Sequence, residues 1–147
     1  MNNKQESTIL DKNHADLLVQ LEDEQRKSGY LSAEFLNNLA RAVDMPLSEI
    51  YGVVSFYSFL AVRPRGRNVI RICKNLPCSL KHSDMIREAI ARELGIKAGE
   101  TTKDGRFTLT LTNCIGACDK APAMMINNDV HGDLTQEKIV NILRSYR

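Results

Sequence analysis

The sequence predicts an α+β chain in two parts: an N-terminal helical bundle over residues 1–62 and an α/β domain over residues 68–147. Three observations predict it. Apolar residues recur at helical spacing up to Val62. A short basic stretch, Arg63-Pro64-Arg65-Gly66-Arg67, interrupts that pattern as a linker. Beyond it the period shortens to two, and stretches of strand character alternate with one well-marked helix and then a second. At 147 residues, the chain has room for one ordinary domain or two small ones.

Residues 1–10 form a polar lead. The first helix is expected over 13–27, with Leu17, Leu18 and Leu21 on its inner face and Ser28-Gly29 as its stop. Glu22 with Arg26, and Asp23 with Lys27, are acid-before-base pairs at i,i+4. Ser32 suits the N-cap of a second helix, whose Phe35, Leu36, Leu39, Ala40 and Val43 face inward. Pro46 fits the first turn of a third helix, with a stripe of Ile50, Val53, Val54 and Tyr57.

In the second part, residues 69–72 form a short apolar strand ending at Cys73. A helix follows, with Met85, Ile86, Ala89, Ile90 and Leu94 inward and Gly95 as its stop. After a polar connection over 96–105, Phe107, Leu109 and Leu111 alternate with Thr108, Thr110 and Thr112 in a half-buried strand. Residues 123–126 form a third strand, and Asn127-Asn128-Asp129 a turn into Val130-His131. Thr135 caps the last helix, Leu134 staples onto Ile139, and Ile139, Ile142, Leu143 and Tyr146 form its buried stripe. The order is β–α–β–β–α. If the first two strands run parallel, both segments that follow them emerge at one edge of the sheet.

Those two segments carry every cysteine in the chain. Cys73 and Cys78 are spaced Cys-x4-Cys, Cys114 and Cys118 are spaced Cys-x3-Cys, and 35 residues separate the pairs. Four thiolates from two loops are the ligand set of a [2Fe–2S] cluster, two sulfurs to each iron. Small Gly116 and Ala117 let backbone N–H groups approach the sulfides, while Pro77 and Pro122 stiffen the loops. Structural zinc favours Cys-x2-Cys knuckles, a thioredoxin-type redox pair needs Cys-x-x-Cys, and two disulfides suit a secreted chain. The polar start, residues 1–7, predicts no secretory signal, and the expected location is the cytoplasm, where thiols stay reduced.

A net charge of +2 points to neither nucleic acid nor a membrane surface, and the longest apolar stretch, residues 53–62, is too short to span a bilayer. A DNA-binding unit in the second and third helices is a competing reading. It lacks basic or amide side chains on the third helix, where Tyr51 and Ser55 are the nearest candidates. His14 and His131 read as surface residues and His82 as a solvated helix start. Met124 and Met125 read as strand packing, one side chain to each face. Lys74 and Lys120 flank the cysteine loops. Tyr51, Phe56, Tyr57 and Phe59 lie on more than one helical face, so some are left over for a protein contact.

Several separated motifs occur in fixed order. They are Pro46-Leu47-Ser48-Glu49-Ile50-Tyr51-Gly52-Val53-Val54-Ser55-Phe56-Tyr57, Arg71-Ile72-Cys73 with Cys78, Gly99-Glu100-Thr101-Thr102, Cys114-Ile115-Gly116-Ala117-Cys118 with Ala121-Pro122, and His131-Gly132-Asp133-Leu134-Thr135. On these the chain resembles, over residues 14–146, the small thioredoxin-like [2Fe–2S] subunit of respiratory complex I and of NAD-linked hydrogenases and formate dehydrogenases. The resemblance implies a thioredoxin-like second domain. It implies one iron held by Cys73 and Cys78 and the other by Cys114 and Cys118. It also implies docking to a flavoprotein that holds FMN, binds NAD(H) and carries further iron–sulfur clusters, beside a catalytic hydrogenase or dehydrogenase subunit. Between the first two cysteines the family often has small residues, whereas this chain has Lys74-Asn75-Leu76-Pro77.

The expected role is therefore a non-catalytic electron carrier, exchanging single electrons with a flavin that splits the two-electron hydride. A compact chain without a long N-terminal extension favours an electron-bifurcating [FeFe]-hydrogenase as the parent assembly, with complex I or a formate dehydrogenase as the alternative.

Overall fold

The computed structural model describes residues 6–146, with side chains from Asp16 onward. The chain divides into two compact units, Met1–Pro64 and Arg65–Arg147.

The first unit is helical. Helix α1 spans Glu6–Ser28, α2 Ala33–Ala42 and α3 Leu47–Phe56. Residues 6–10, expected in a polar lead, are helical, and residues 1–5 of that lead lie outside the described residues. Leu17 and Leu21 pack with Leu31, Leu36, Leu39, Ile50, Val54 and Leu60 in one core. Gln25 of α1 fixes the segment after α3. Its amide oxygen accepts from Ala61 N–H at 2.7 Å and its amide nitrogen donates to the Phe59 carbonyl.

Two details differ from expectation. Arg26 pairs with Asp23 at 3.8 Å, three residues away, rather than with Glu22. Both side chains are exposed, so the choice of partner carries little energy. Tyr57 is 41% exposed and does not complete the α3 stripe. It caps the helix in an extended conformation, where helical spacing no longer sets side-chain direction.

The Ser32 hydroxyl accepts from Phe35 N–H at 3.1 Å, as its capping position requires. Ser32→Ala leaves that N–H without its partner and is expected to destabilise the first unit by about 1 kcal/mol. Chemical denaturation followed by helical circular dichroism measures this.

The second unit is a four-stranded mixed sheet. Strands β1 (Asn68–Cys73), β2 (Phe107–Thr112), β3 (Met124–Ile126) and β4 (Asp129–His131) lie in the order β2-β1-β3-β4. β1 and β2 are parallel, whereas β3 runs antiparallel to both β1 and β4. Helices α4 (Leu76–Ser79), α5 (Ser83–Leu94) and α6 (Gln136–Ser145) complete it. Ile70, Ile72, Leu109, Met124 and Ile126 of the sheet close on Ile86 and Ile90 of α5 and Ile139 and Leu143 of α6. Met124 is buried and Met125 half-buried, one on each face. Met85, expected inward, is exposed in the first turn of α5.

Strand β4 adds a fourth strand to the expected three. The turn before it is tighter than anticipated: Asn127 takes a positive φ of 54° and closes a two-residue hairpin. The Asn127 side chain accepts from Val69 N–H at 2.9 Å, so it also pins the hairpin to β1.

The threonine face of β2 is more covered than alternation implies. Thr108 and Thr112 are buried. Thr108 Oγ1 accepts from Gly66 N–H at 2.6 Å and lies 2.8 Å from Thr101 Oγ1. Arg67 and Asn68 N–H groups donate to Gly105 and Arg106 carbonyls, so the end of the basic stretch is fastened to β2 rather than solvated.

His131 is half-buried, not a free surface residue. Its Nε2 lies 3.3 Å from the Tyr146 hydroxyl, which donates to Asp129 Oδ2 at 2.6 Å. His82, by contrast, is exposed, as expected, and the His14 side chain lies outside the described residues. The Asp129 hydrogen bond, followed by burial and the carboxylate charge, pushes the Tyr146 phenol up to about 12. A raised folded-state pKa means that this stabilisation is complete below the unfolded value of about 10. It is lost as pH rises through about 12. The tyrosinate absorbance of Tyr146→Phe should lack the highest-pH step of the parent titration, and its stability should fall less between those limits.

Among the described residues, no helix is long and apolar enough to cross a membrane.

Candidate functional site

The parallel pairing of β1 and β2 settles where the cysteines lie. In that register Cys73, the last residue of β1, stands opposite Thr112, the last of β2. Cys114 follows two residues later, so both loops leave the sheet at the same edge. The Cys73 thiol donates to the Asn113 carbonyl at 2.7 Å, a direct bond from one loop to the other.

Each loop delivers its second cysteine on a short helical turn. Cys78 sits in α4, which starts after an extended Asn75 and has Pro77 in its opening turn. Sequence periodicity could not find a helix of one turn; the asparagine followed by a nearby proline was its only signal. Cys118 opens a 3₁₀ turn, Cys118–Lys120. Between Cys114 and Cys118, Gly116 adopts a left-handed φ of 74°, which its missing Cβ permits. That conformation turns the Gly116 N–H toward Cys114 Sγ, at 3.3 Å.

The two pairs differ in exposure. Cys73 and Cys78 are 2% and 6% exposed, whereas Cys114 and Cys118 are open to solvent. All four are free thiols. Burial pushes the Cys78 thiol up to about 11, helped by its hydrogen bond with Cys73 and by the charges of Cys73, Cys118 and Cys114. Among the described residues, no three His, Cys, Asp or Glu side chains gather as ligands of a single metal ion.

Around this edge, Lys74, Lys81 and Lys120 are exposed, as are Leu76 and Leu80 beside Cys78. The aromatic residues left over by the helical pattern are also exposed, Phe56 most of all at 74%.

The donor chemistry fits an iron–sulfur centre: four soft sulfur donors, free of disulfides, with a peptide N–H directed at one of them. A mixed sheet bearing such thiols at one edge is the frame of a small redox protein. The sequence matches the thioredoxin-like [2Fe-2S] ferredoxin family over residues 3–147, and the chain belongs to that family. Its fold is thioredoxin-like and its cofactor is a [2Fe–2S] cluster, both as expected from the sequence.

The chain is 41% identical over 123 residues to an NADH-quinone oxidoreductase subunit of Escherichia coli (strain K12), covering 84% of this chain and 74% of the relative. It is 42% identical over 123 residues to the same subunit from Buchnera aphidicola subsp. Acyrthosiphon pisum, covering 84% of this chain and 76% of the relative. Among solved structures it is similar to an NAD+-reducing [NiFe]-hydrogenase in the air-oxidized state. The TM-score is 0.72 and the identity 26%, over 88% of this chain but only 22% of the hydrogenase chain.

Proposed function

We propose that this chain is the [2Fe–2S] electron-transfer subunit of a multi-subunit NADH-oxidising assembly of the NADH-quinone oxidoreductase kind. The preference for a bifurcating [FeFe]-hydrogenase drawn from the sequence is revised. Relatives at 41% and 42% identity are NADH-quinone oxidoreductase subunits, whereas the hydrogenase neighbour is a [NiFe] protein at 26%. Chain length was a poor discriminator, because an extension outside the folded units says nothing about the partner.

In this reading Cys73, Cys78, Cys114 and Cys118 are the four ligands, with residues 68–147 as the cluster domain and residues 1–62 as the helical domain. The observation that carries it is the parallel β1–β2 register, which sends both cysteine segments to one edge. When bound, the cluster supplies one-electron redox chemistry. Burial keeps water from Cys73 and Cys78. The Gly116 N–H withdraws electron density from sulfur, which favours the reduced state. This subunit carries no substrate chemistry of its own. Its partner is a flavoprotein holding FMN and further iron–sulfur clusters, because hydride must be split into single electrons elsewhere.

Electron paramagnetic resonance tests the proposal on the anaerobically purified assembly. NADH added to the assembly should produce the signal of a reduced [2Fe–2S] centre that is also present in dithionite-reduced isolated chain. The isolated chain should give no such signal with NADH alone. Reduction of the isolated chain by NADH, or an assembly without flavin, would contradict it.

A further inference from the structure

We propose that Gly132 is a positioning residue for the half-site containing Cys118, acting through the backbone of Lys120; the inference rests on the ligand assignment above. The 3₁₀ turn that carries Cys118 ends at Lys120, whose N–H donates back to the Ala117 carbonyl at 3.2 Å. On its outer side the turn leans on the segment between β4 and α6. Asp133 N–H donates to the Lys120 carbonyl at 2.8 Å, and Leu134 N–H to the Pro122 carbonyl at 3.0 Å.

That segment is firmly held. Leu134 is buried in the same core as Ile139 and Leu143 of α6. The Thr135 hydroxyl accepts from Lys138 N–H at 3.3 Å, and Lys138 Nζ donates to the Asp133 carbonyl at 2.9 Å. On the other side His131 is paired with Met124. The cysteine turn therefore rests on a backing fixed from both directions.

Gly132 lies directly against Lys120. A Cβ at this position would overlap Lys120 Cβ, approach the Lys120 carbonyl oxygen to 2.9 Å and meet Lys120 Cδ at 3.4 Å. The first two atoms belong to the turn itself, so rotation of the lysine side chain cannot relieve the overlap. The backing is anchored in the core, so the turn is the part that yields, and Cys118 moves with it. Gly132 thus sets the distance at which Cys118 is presented. It is required for its size, since its backbone conformation is open to other residues.

The test uses the full chain, purified without oxygen and reduced with dithionite. Gly132→Ala should change the g-values of the cluster, shift its midpoint potential and shorten its lifetime in air several-fold, while far-ultraviolet circular dichroism is retained. Lys120→Ala, which keeps the Cβ but removes a charge two residues from Cys118, should leave the g-values and lifetime at their parent values and give the potential against which the double variant is compared. Lys120→Gly combined with Gly132→Ala removes the worst overlap and should bring the g-values most of the way back to the parent's, and the potential most of the way to that of Lys120→Ala. A folded Gly132→Ala chain with parent g-values, potential and lifetime overturns the inference, as does a double variant with g-values no closer to the parent's than those of Gly132→Ala. Should Gly132→Ala fail to fold, the double variant decides alone: a parent-like spectrum supports the contact, and an altered or absent one overturns it. A parent chain that holds no cluster refutes the ligand assignment and this inference together. A parent with a cluster and an unaffected Gly132→Ala refutes only the inference.

Discussion

Cys114→Ala is expected to abolish the cluster while leaving the fold intact. Cys114 is exposed, so its replacement removes no core packing and opens no cavity. Its sulfur accepts from Gly116 N–H at 3.3 Å, and water can satisfy that donor when the sulfur is gone. The loss then falls on the ligand set alone: three thiolates remain where four are needed. The purified variant should lack the visible absorbance and iron of the parent and keep its far-ultraviolet circular dichroism. Cys118→Ala should behave alike. Cys73→Ala and Cys78→Ala should also lose the cluster, but with some loss of stability, because both side chains are buried. A Cys114→Ala chain with undiminished iron and acid-labile sulfide would exclude Cys114 as a ligand.

The largest effect on stability is expected at the centre of the sheet. Ile70 lies on β1, which has a neighbour on both edges, and is completely buried between the sheet and the helices. Ile70→Ala removes apolar surface from that contact and leaves a void that the flanking strands cannot fill. The cost is about 2–5 kcal/mol, a large share of the stability of a small domain. A lowered urea midpoint of the second unit, at a similar slope, measures it. A shift equivalent to less than about 1 kcal/mol would mean that the site collapses around the smaller side chain. Because β1 ends at Cys73, the same change should also hasten cluster loss.

Elements with both a cap and a stripe were legible in the sequence. Helices α2 and α6 have Ser32 and Thr135 as caps and apolar residues at regular spacing, and both form as expected. Helix α4 and strand β4 were not, although the equally short β3 was. Helix α4 and strand β4 are too short to show a period, and their formation depends on Asn75, Pro77 and Asn127 turning the chain in context. Tyr57 and Met85 were misplaced because they lie at helix ends, where the stripe no longer governs burial. Thr108 was misplaced because alternation assumes an open second face, which the Gly66 and Thr101 contacts close.

The candidate site divides in the same way. Residue type and spacing pointed to a [2Fe–2S] cofactor, which the family match shows. The unequal burial of the two pairs, the Cys73–Asn113 bond and the Gly132 backing depend on strand register and long-range packing. No local pattern encodes them.

The most direct measurement is the iron and acid-labile sulfide content of the full chain purified without oxygen, with its spectrum when reduced. The account predicts iron and sulfide in equal amounts, two of each per chain, and a single [2Fe–2S] signal. A folded chain that carries zinc, or no metal and no sulfide after anaerobic reconstitution, would contradict it.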